Sequence, residues 1–184
     1  CRSGGECSSA PARRANVLQE GRGTEREGRV RAEAGNGLPG LVITGASGFL
    51  GRHLIAALRG RHRLYCLARR AQHAVGVQRH KNVHWFQVDI GDEEPLEKVF
   101  RQLQGVAARC PVIHLAAYYD FTGEANPEYL RTNVLGLRNL LEVCKTFRPG
   151  RFVFASSVAA SAFPPEGTML TETSPPDGDH LYAI

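Results

Sequence analysis

Long apolar runs are missing from this sequence. None approaches the roughly 20 residues that a membrane span requires, and no short apolar stretch follows an N-terminal basic segment as in a secretory signal. A soluble, cytoplasmic protein without membrane partners is the expectation. Metal-site spacing is missing too. The cysteines Cys1, Cys7, Cys66, Cys110 and Cys144 are scattered with no CxxC pair, and none of the dispersed histidines forms the i, i+4 pairing of a helical metal site, since His84 lies in a strand-like apolar run. No metal is expected, and the thiols read as reduced and mostly buried. Charge of one sign is nowhere concentrated. The net charge is +5, but residues 1–37 hold seven Arg against five Glu, and the Arg59–Arg63 cluster with Arg69 and Arg70 reads as solvated surface. A nucleic-acid face is therefore not expected.

Large aliphatic side chains are scarce at the N-terminus, where Val17, Leu18 and Val30 are the only ones before Leu38. Residues 1–37 cannot bury enough to offset the entropy of ordering, so a disordered segment is expected there. A transit peptide would be poor in acids, and the chain starts at Cys1 where a Met would begin a protein. A translated upstream region or a fragment boundary is the plainer expectation.

From residue 38 onward the texture changes to apolar runs of strand length alternating with helical patterns, the signature of repeated βα units and a parallel sheet. Strands are predicted at Leu41–Thr44, Arg63–Ala68, Val83–Asp89, Pro111–Ala117 and Arg151–Ser157. Helices are predicted at Phe49–Arg59, Glu93–Gln104 and Pro127–Phe147. The acids of GDEEP suit the positive end of the second helix. In the third, Leu130, Val134, Leu137 and Leu141 form an i, i+4, i+7, i+11 stripe predicted to pack on the sheet. Pro164–Asp179 reads as a loop. Residues 38–184 are thus one domain of Rossmann type, a doubly wound parallel sheet that is incomplete.

Between the first strand and its helix lies TGASGFLG, which spaces Gly45, Gly48 and Gly51 as GxxGxxG. A strand before and a helix after are the context in which such glycines bind a dinucleotide. Gly45 permits the tight turn, and Gly48 lets backbone N–H groups approach a pyrophosphate at the helix N-terminus. Gly51 lets the helix pack closely on the sheet. Phe49 and Leu50 fall inside the same turn and join the cofactor-binding candidates. No Lys-Ser/Thr pair follows the glycines, which excludes a P-loop. Readers of NAD and of adenosylmethionine usually place an acid at the end of the second strand. Here that place holds Ala68, Arg69 and Arg70. A guanidinium suits a 2′-phosphate, so NADP(H) is favoured over NAD(H), with Arg69 the stronger candidate and Arg70 a solvent-facing one.

These glycines, with VDI, HLAA, TNVLGLRNLL and FASS in order, resemble the extended short-chain dehydrogenase/reductases, the NAD(P)-dependent epimerase/dehydratase family, over Leu41–Ile184. The resemblance implies that Asp89 and the Ile90 backbone recognise adenine and that Leu115, Ala116 and Ala117 line the nucleotide cleft. It further implies that Ser156 faces the cofactor, that Asn133 braces the active site, and that Ser157 and Tyr182 act in catalysis. His114, in a buried strand, reads as a satisfied core histidine. A tyrosine with an ordinary pKa of about 10 moves protons poorly at neutrality without a nearby cation, and the family's Lys would fall two residues past Ile184. The expectation is therefore a fragment cut before its active site is complete, catalytically inactive and with cofactor affinity weak or absent. The implied function is hydride transfer at a substrate alcohol or carbonyl carbon. The substrate would be a nucleotide sugar, an alcohol or ketone, or an acyl thioester, and the full-length protein is open to homodimerisation. The alternative is a non-catalytic NAD(P)-binding sensor or interaction module. A methyltransferase-like binder of adenosylmethionine is a further rival, separable by ligand competition.

Overall fold

A computed structural model of the chain describes residues 37–120, 122, 124–162, 164–178 and 182. The expected disorder of residues 1–37 falls, apart from Gly37, outside the described residues.

The apolar runs form five parallel strands, β1 (Gly40–Thr44), β2 (Arg63–Ala68), β3 (Val83–Gln87), β4 (Val112–His114) and β5 (Phe152–Phe154). Their order across the sheet is β3-β2-β1-β4-β5, the arrangement of a doubly wound Rossmann-type sheet with its crossover between β1 and β4. Register runs Val42 to Tyr65 on one side of β1 and Val42 to Val112 on the other.

Residues alternate between faces along each strand, so β1, β2, β3 and β4 each feed two cores. Val42, Tyr65, Leu67 and Val112 pack with Leu96, Phe100, Leu103, Leu140 and Phe147 from the helices α2 (Glu93–Gln104) and α3 (Leu137–Phe147). Leu41, Ile43, Leu64 and Cys66 pack on the other face with Ile55 of α1 (Phe49–Leu58). Burial pushes the Cys66 thiol up to about 12, so it is an inert core side chain.

The helix predicted over Pro127–Phe147 forms, but not as one regular α-helix. Tyr129–Gly136 is π-helical, with wider turns, and α3 continues directly from it. The face expected to meet the sheet is corrected by this structure. Leu130, Val134 and Leu141 are exposed and Leu137 is half-buried, whereas Tyr129, Thr132, Gly136, Leu140 and Phe147 are buried. The physical reason is close approach. A Cβ at Gly136 would lie 2.7 Å from Ile90 Cγ1, so the residue facing the sheet there is the smallest one, which an apolar-periodicity count ignores. The π turns also shift the phase by which a 3.6-residue stripe is counted.

Leu140→Ala should therefore cost about 2–5 kcal/mol, and Leu141→Ala should stay within about 0.5 kcal/mol, both read from urea unfolding. Equal losses would restore the stripe as the packed face.

Candidate functional site

The strands end where the chemistry begins. Beyond Thr44 the chain turns through Gly45, whose φ is +67°, a conformation open mainly to glycine. Space is as restrictive as the dihedral. A Cβ on Gly45 would sit 2.5 Å from Ala116 N, and one on Gly51 would sit 2.5 Å from the Gly45 carbonyl. The turn thus presses its backbone against the end of β4 on one side and the first turn of α1 on the other. Helix α1 begins at Gly48 with no side-chain cap and no acid in its first turn. Its leading N–H groups have no intrahelical acceptor and suit an outside anion.

A cavity of about 330 Å³ lies over these strand ends. Its wall gathers Gly45, Gly48, Arg69, Asp89, Ile90 and the Leu115–Ala117 run, all eight singled out from the sequence, and adds Arg70 and Thr132 among others. Phe49, Leu50, Gly51 and Ser156 lie outside that wall. Phe49 and Leu50 are exposed on the first turn of α1, Gly51 is buried behind them, and Ser156 is exposed beyond β5.

Under the cavity, Thr44 and His114 face each other across β1 and β4, with Oγ1 and Nδ1 2.6 Å apart. The Ala116 N–H also donates to Thr44 Oγ1 at 3.4 Å. Burial disfavours the imidazolium and takes the His114 pKa down to about 4. His114 is the satisfied core histidine the sequence suggested.

The rim of the cavity carries charge. Asp89 Oδ1 accepts from the Gly91 N–H at 2.9 Å and Oδ2 from Arg131 Nη1 at 2.9 Å. Burial alone would raise the Asp89 pKa. The Arg131 hydrogen bond, the Gly91 N–H and the nearby guanidinium charges outweigh it and hold the carboxyl below its usual range. Each oxygen keeps a lone pair for a ligand. Arg131 Nη2 donates to Asp92 at 2.7 Å, which fixes the guanidinium from both sides. Arg69 Nη1 donates to Glu128 Oε2 at 3.2 Å. Arg70 does more than cap solvent, since its Nη2 donates to the Ser47 carbonyl at 3.1 Å and lies over the glycine turn. Glu128, Arg131 and Thr132 were not singled out from the sequence. Their signal was present in the helix leading into TNV, where charged residues one turn apart face the strand ends.

Asn133 sits in the π-helical stretch and grips the chain after β4 at both ends of its amide. Its Oδ1 accepts from the Tyr118 N–H at 2.7 Å, and its Nδ2 donates to the Tyr118 carbonyl at 2.9 Å. The Tyr182 ring rests against Tyr119, centroids 4.8 Å apart, and lies 6.4 Å from Tyr129. Asn133 and Tyr182 are thereby brought to the same Tyr118–Tyr119 segment. Ser157 follows β5 and caps a short 3₁₀ turn, its Oγ accepting from the Ala159 N–H at 3.2 Å. Among the described residues no cluster of three or more His, Cys, Asp or Glu is placed to hold a metal ion.

The sheet order and the glycine turn define a Rossmann-type α/β domain. Residues 41–184 match the model of the NAD dependent epimerase/dehydratase family, and the chain belongs to that family. It is 34% identical over 143 residues to UDP-glucuronate 4-epimerase 4 of Arabidopsis thaliana, covering 70% of this chain and 31% of that protein. It is 31% identical over 152 residues to UDP-glucose 4-epimerase of Caenorhabditis elegans, covering 73% of this chain and 42% of that one. The solved structure of Thermus thermophilus UDP-glucose 4-epimerase in complex with NAD superposes with a TM-score of 0.63 at 31% identity, over 78% of this chain and 46% of that one. The chain therefore spans less than half the length of these relatives.

The neutral state of His114 has a measurable consequence. Its folded pKa of about 4 lies below the unfolded value of 6.5, so the unfolded chain takes up the proton first as pH falls. The associated stability, on the order of 3 kcal/mol, is complete above the unfolded value and drains away as pH falls toward the folded one. NMR titration of the imidazole and urea unfolding across that window should agree, and His114→Asn should lose this part of the slope. An imidazole that titrates in the ordinary histidine range would contradict the assignment.

Proposed function

We propose that this chain is the nucleotide-binding part of an NADP-preferring oxidoreductase, epimerase or dehydratase that acts through hydride transfer at a substrate alcohol or carbonyl carbon. One observation carries the reading: eight residues chosen for dinucleotide binding from sequence line a single cavity at the strand ends. The residues there fit such a cofactor. Gly45 and Gly48 bring bare backbone to the uncapped start of α1, where a diphosphate finds N–H donors. Asp89 and the Ile90 backbone would hold the adenine end, and Leu115–Ala117 would flank the groove.

The nicotinamide cofactor, when bound, supplies or accepts the hydride. The chain's own residues supply the rest. Tyr182 would pass a proton to or from the substrate oxygen, Ser157 would donate to that oxygen the O–H that its accepting role in the 3₁₀ turn leaves available, and Asn133 positions the Tyr118–Tyr119 segment against which Tyr182 packs. The preference for NADP(H) is supported by Arg69 and Arg70 standing where an acid is usual. The T. thermophilus relative was solved with NAD, so the choice between the two is a matter for measurement. The UDP-sugar epimerases among the relatives favour a nucleotide sugar as substrate.

Titrating the whole protein into NADPH and NADH and following their fluorescence should give saturable binding, tighter for NADPH, that Gly45→Val removes. A folded whole protein that responds to neither nucleotide would end this reading. Tyr182→Phe, tested in the whole protein, should keep cofactor affinity and lose on the order of 10²–10⁴-fold in turnover. Unchanged turnover would remove Tyr182 from the chemistry, and absence of turnover in the unmodified whole protein would favour a non-catalytic nucleotide-binding module.

A further inference from the structure

The corner where Arg69 stands is not the bare cation that the sequence implies. Glu128, at the entry to the π-helical stretch and 59 positions away in sequence, puts its Oε2 3.2 Å from Arg69 Nη1. The same oxygen accepts from Thr132 Oγ1 at 3.0 Å. Thr132 is 3% exposed and lines the same cavity as Arg69, so the carboxylate is tethered at the cavity rim. The Asn126 side chain fixes the backbone beneath it, its Oδ1 accepting from the Glu128 N–H at 3.0 Å. Arg131 also pairs with Glu128, its Nη1 3.6 Å from Oε1, but it is shared with Asp89 at 2.9 Å and Asp92 at 2.7 Å, three carboxylates around one guanidinium.

We propose that Glu128 is a specificity-determining residue for the cofactor's 2′ position, supplying through space the acid that the end of β2 lacks in sequence. This rests on the reading of the cavity as a dinucleotide site. A free ribose 2′-hydroxyl can donate to a carboxylate, which is the role the usual strand-end acid performs. A 2′-phosphate meets the opposite situation: the carboxylate occupies a donor of Arg69 and repels the incoming charge. One side chain thus lessens the preference for the phosphorylated cofactor that Arg69 and Arg70 set, and Arg69 reads a 2′-phosphate only in competition with it.

The test uses the whole protein with two probe pairs, NADPH against NADH by fluorescence and adenosine 2′,5′-bisphosphate against AMP by calorimetry. Glu128→Gln removes the charge at constant shape and should shift both affinity ratios toward the 2′-phosphorylated member by about five-fold, the scale of a partly exposed ion pair. Arg69→Gln should weaken adenosine 2′,5′-bisphosphate and spare AMP, and the double variant should lose the gain seen with Glu128→Gln. Glu128→Asp, which keeps the charge but shortens its reach, gives a second folded variant and should fall between wild type and Gln. A ratio that stays within about two-fold, or two affinities that change by the same factor, would overturn the role of Glu128 while leaving the site intact. Absence of binding by any probe to the folded whole protein would remove the dinucleotide reading and this proposal together.

Discussion

The geometry of this domain depends on how closely the turn after β1 approaches the end of β4. The backbone at Gly45 lies so near Leu115 and Ala116 that a single methyl group would stand 2.5 Å from main-chain atoms just past the end of β4. Glycine removes the steric cost of that contact and also admits the φ of +67°. Once the turn is seated, the start of α1, the end of β4 and the ends of β2 and β3 are fixed around one hollow. A bulkier turn would lift α1 from the sheet and separate groups that now share a cavity wall.

Around that hollow the sheet and the helix entering α3 are joined by charge. Arg131 spans Asp89 and Asp92 beyond β3, while Glu128 reaches Arg69 at the end of β2. Exposed ion pairs of this kind contribute little to stability individually, and their importance here is positional. They hold the π-helical stretch against two strand ends, and the same stretch carries Asn133, whose amide clamps Tyr118. Asp89 and the Tyr118–Tyr119 segment, on two sides of the groove, are therefore held by Arg131 and Asn133, two positions apart on one helix.

Much of this was legible in the residues. Strands announced themselves as apolar runs such as LVIT and RLYCLA because a parallel sheet covered on both faces needs apolar side chains at consecutive positions. The glycine turn was legible because its spacing and its strand-then-helix context are local. The predicted ends of β3, β4 and β5 ran too long. Asp89, Leu115–Ala117 and Ser157 leave the ladder to face the site or to cap a turn, and an apolar count does not register the bend. The packed face of the third helix was misjudged for the related reason that Gly136 and Thr132 do the facing. Arg69 was placed correctly along the chain, but its partner lies 59 residues away, and the Asp89–Arg131 pair spans 42. Local pattern carries no information about such pairings.

The distribution of charge at the groove follows from these placements. Its floor is neutral, since burial keeps the His114 imidazole uncharged against the Thr44 hydroxyl. Its centre offers main-chain N–H groups at the uncapped start of α1, whose partial positive charge suits a phosphate. Among the described residues of the wall, Arg69 and Asp89 are matched by opposite neighbours, while Arg70 lies over the glycine turn on the Ser47 carbonyl. A diphosphate would thus be recognised by backbone geometry, which is the same for either dinucleotide. Discrimination falls to a few side chains at one corner, where the balance of a guanidinium and a carboxylate can change without disturbing the rest of the fold.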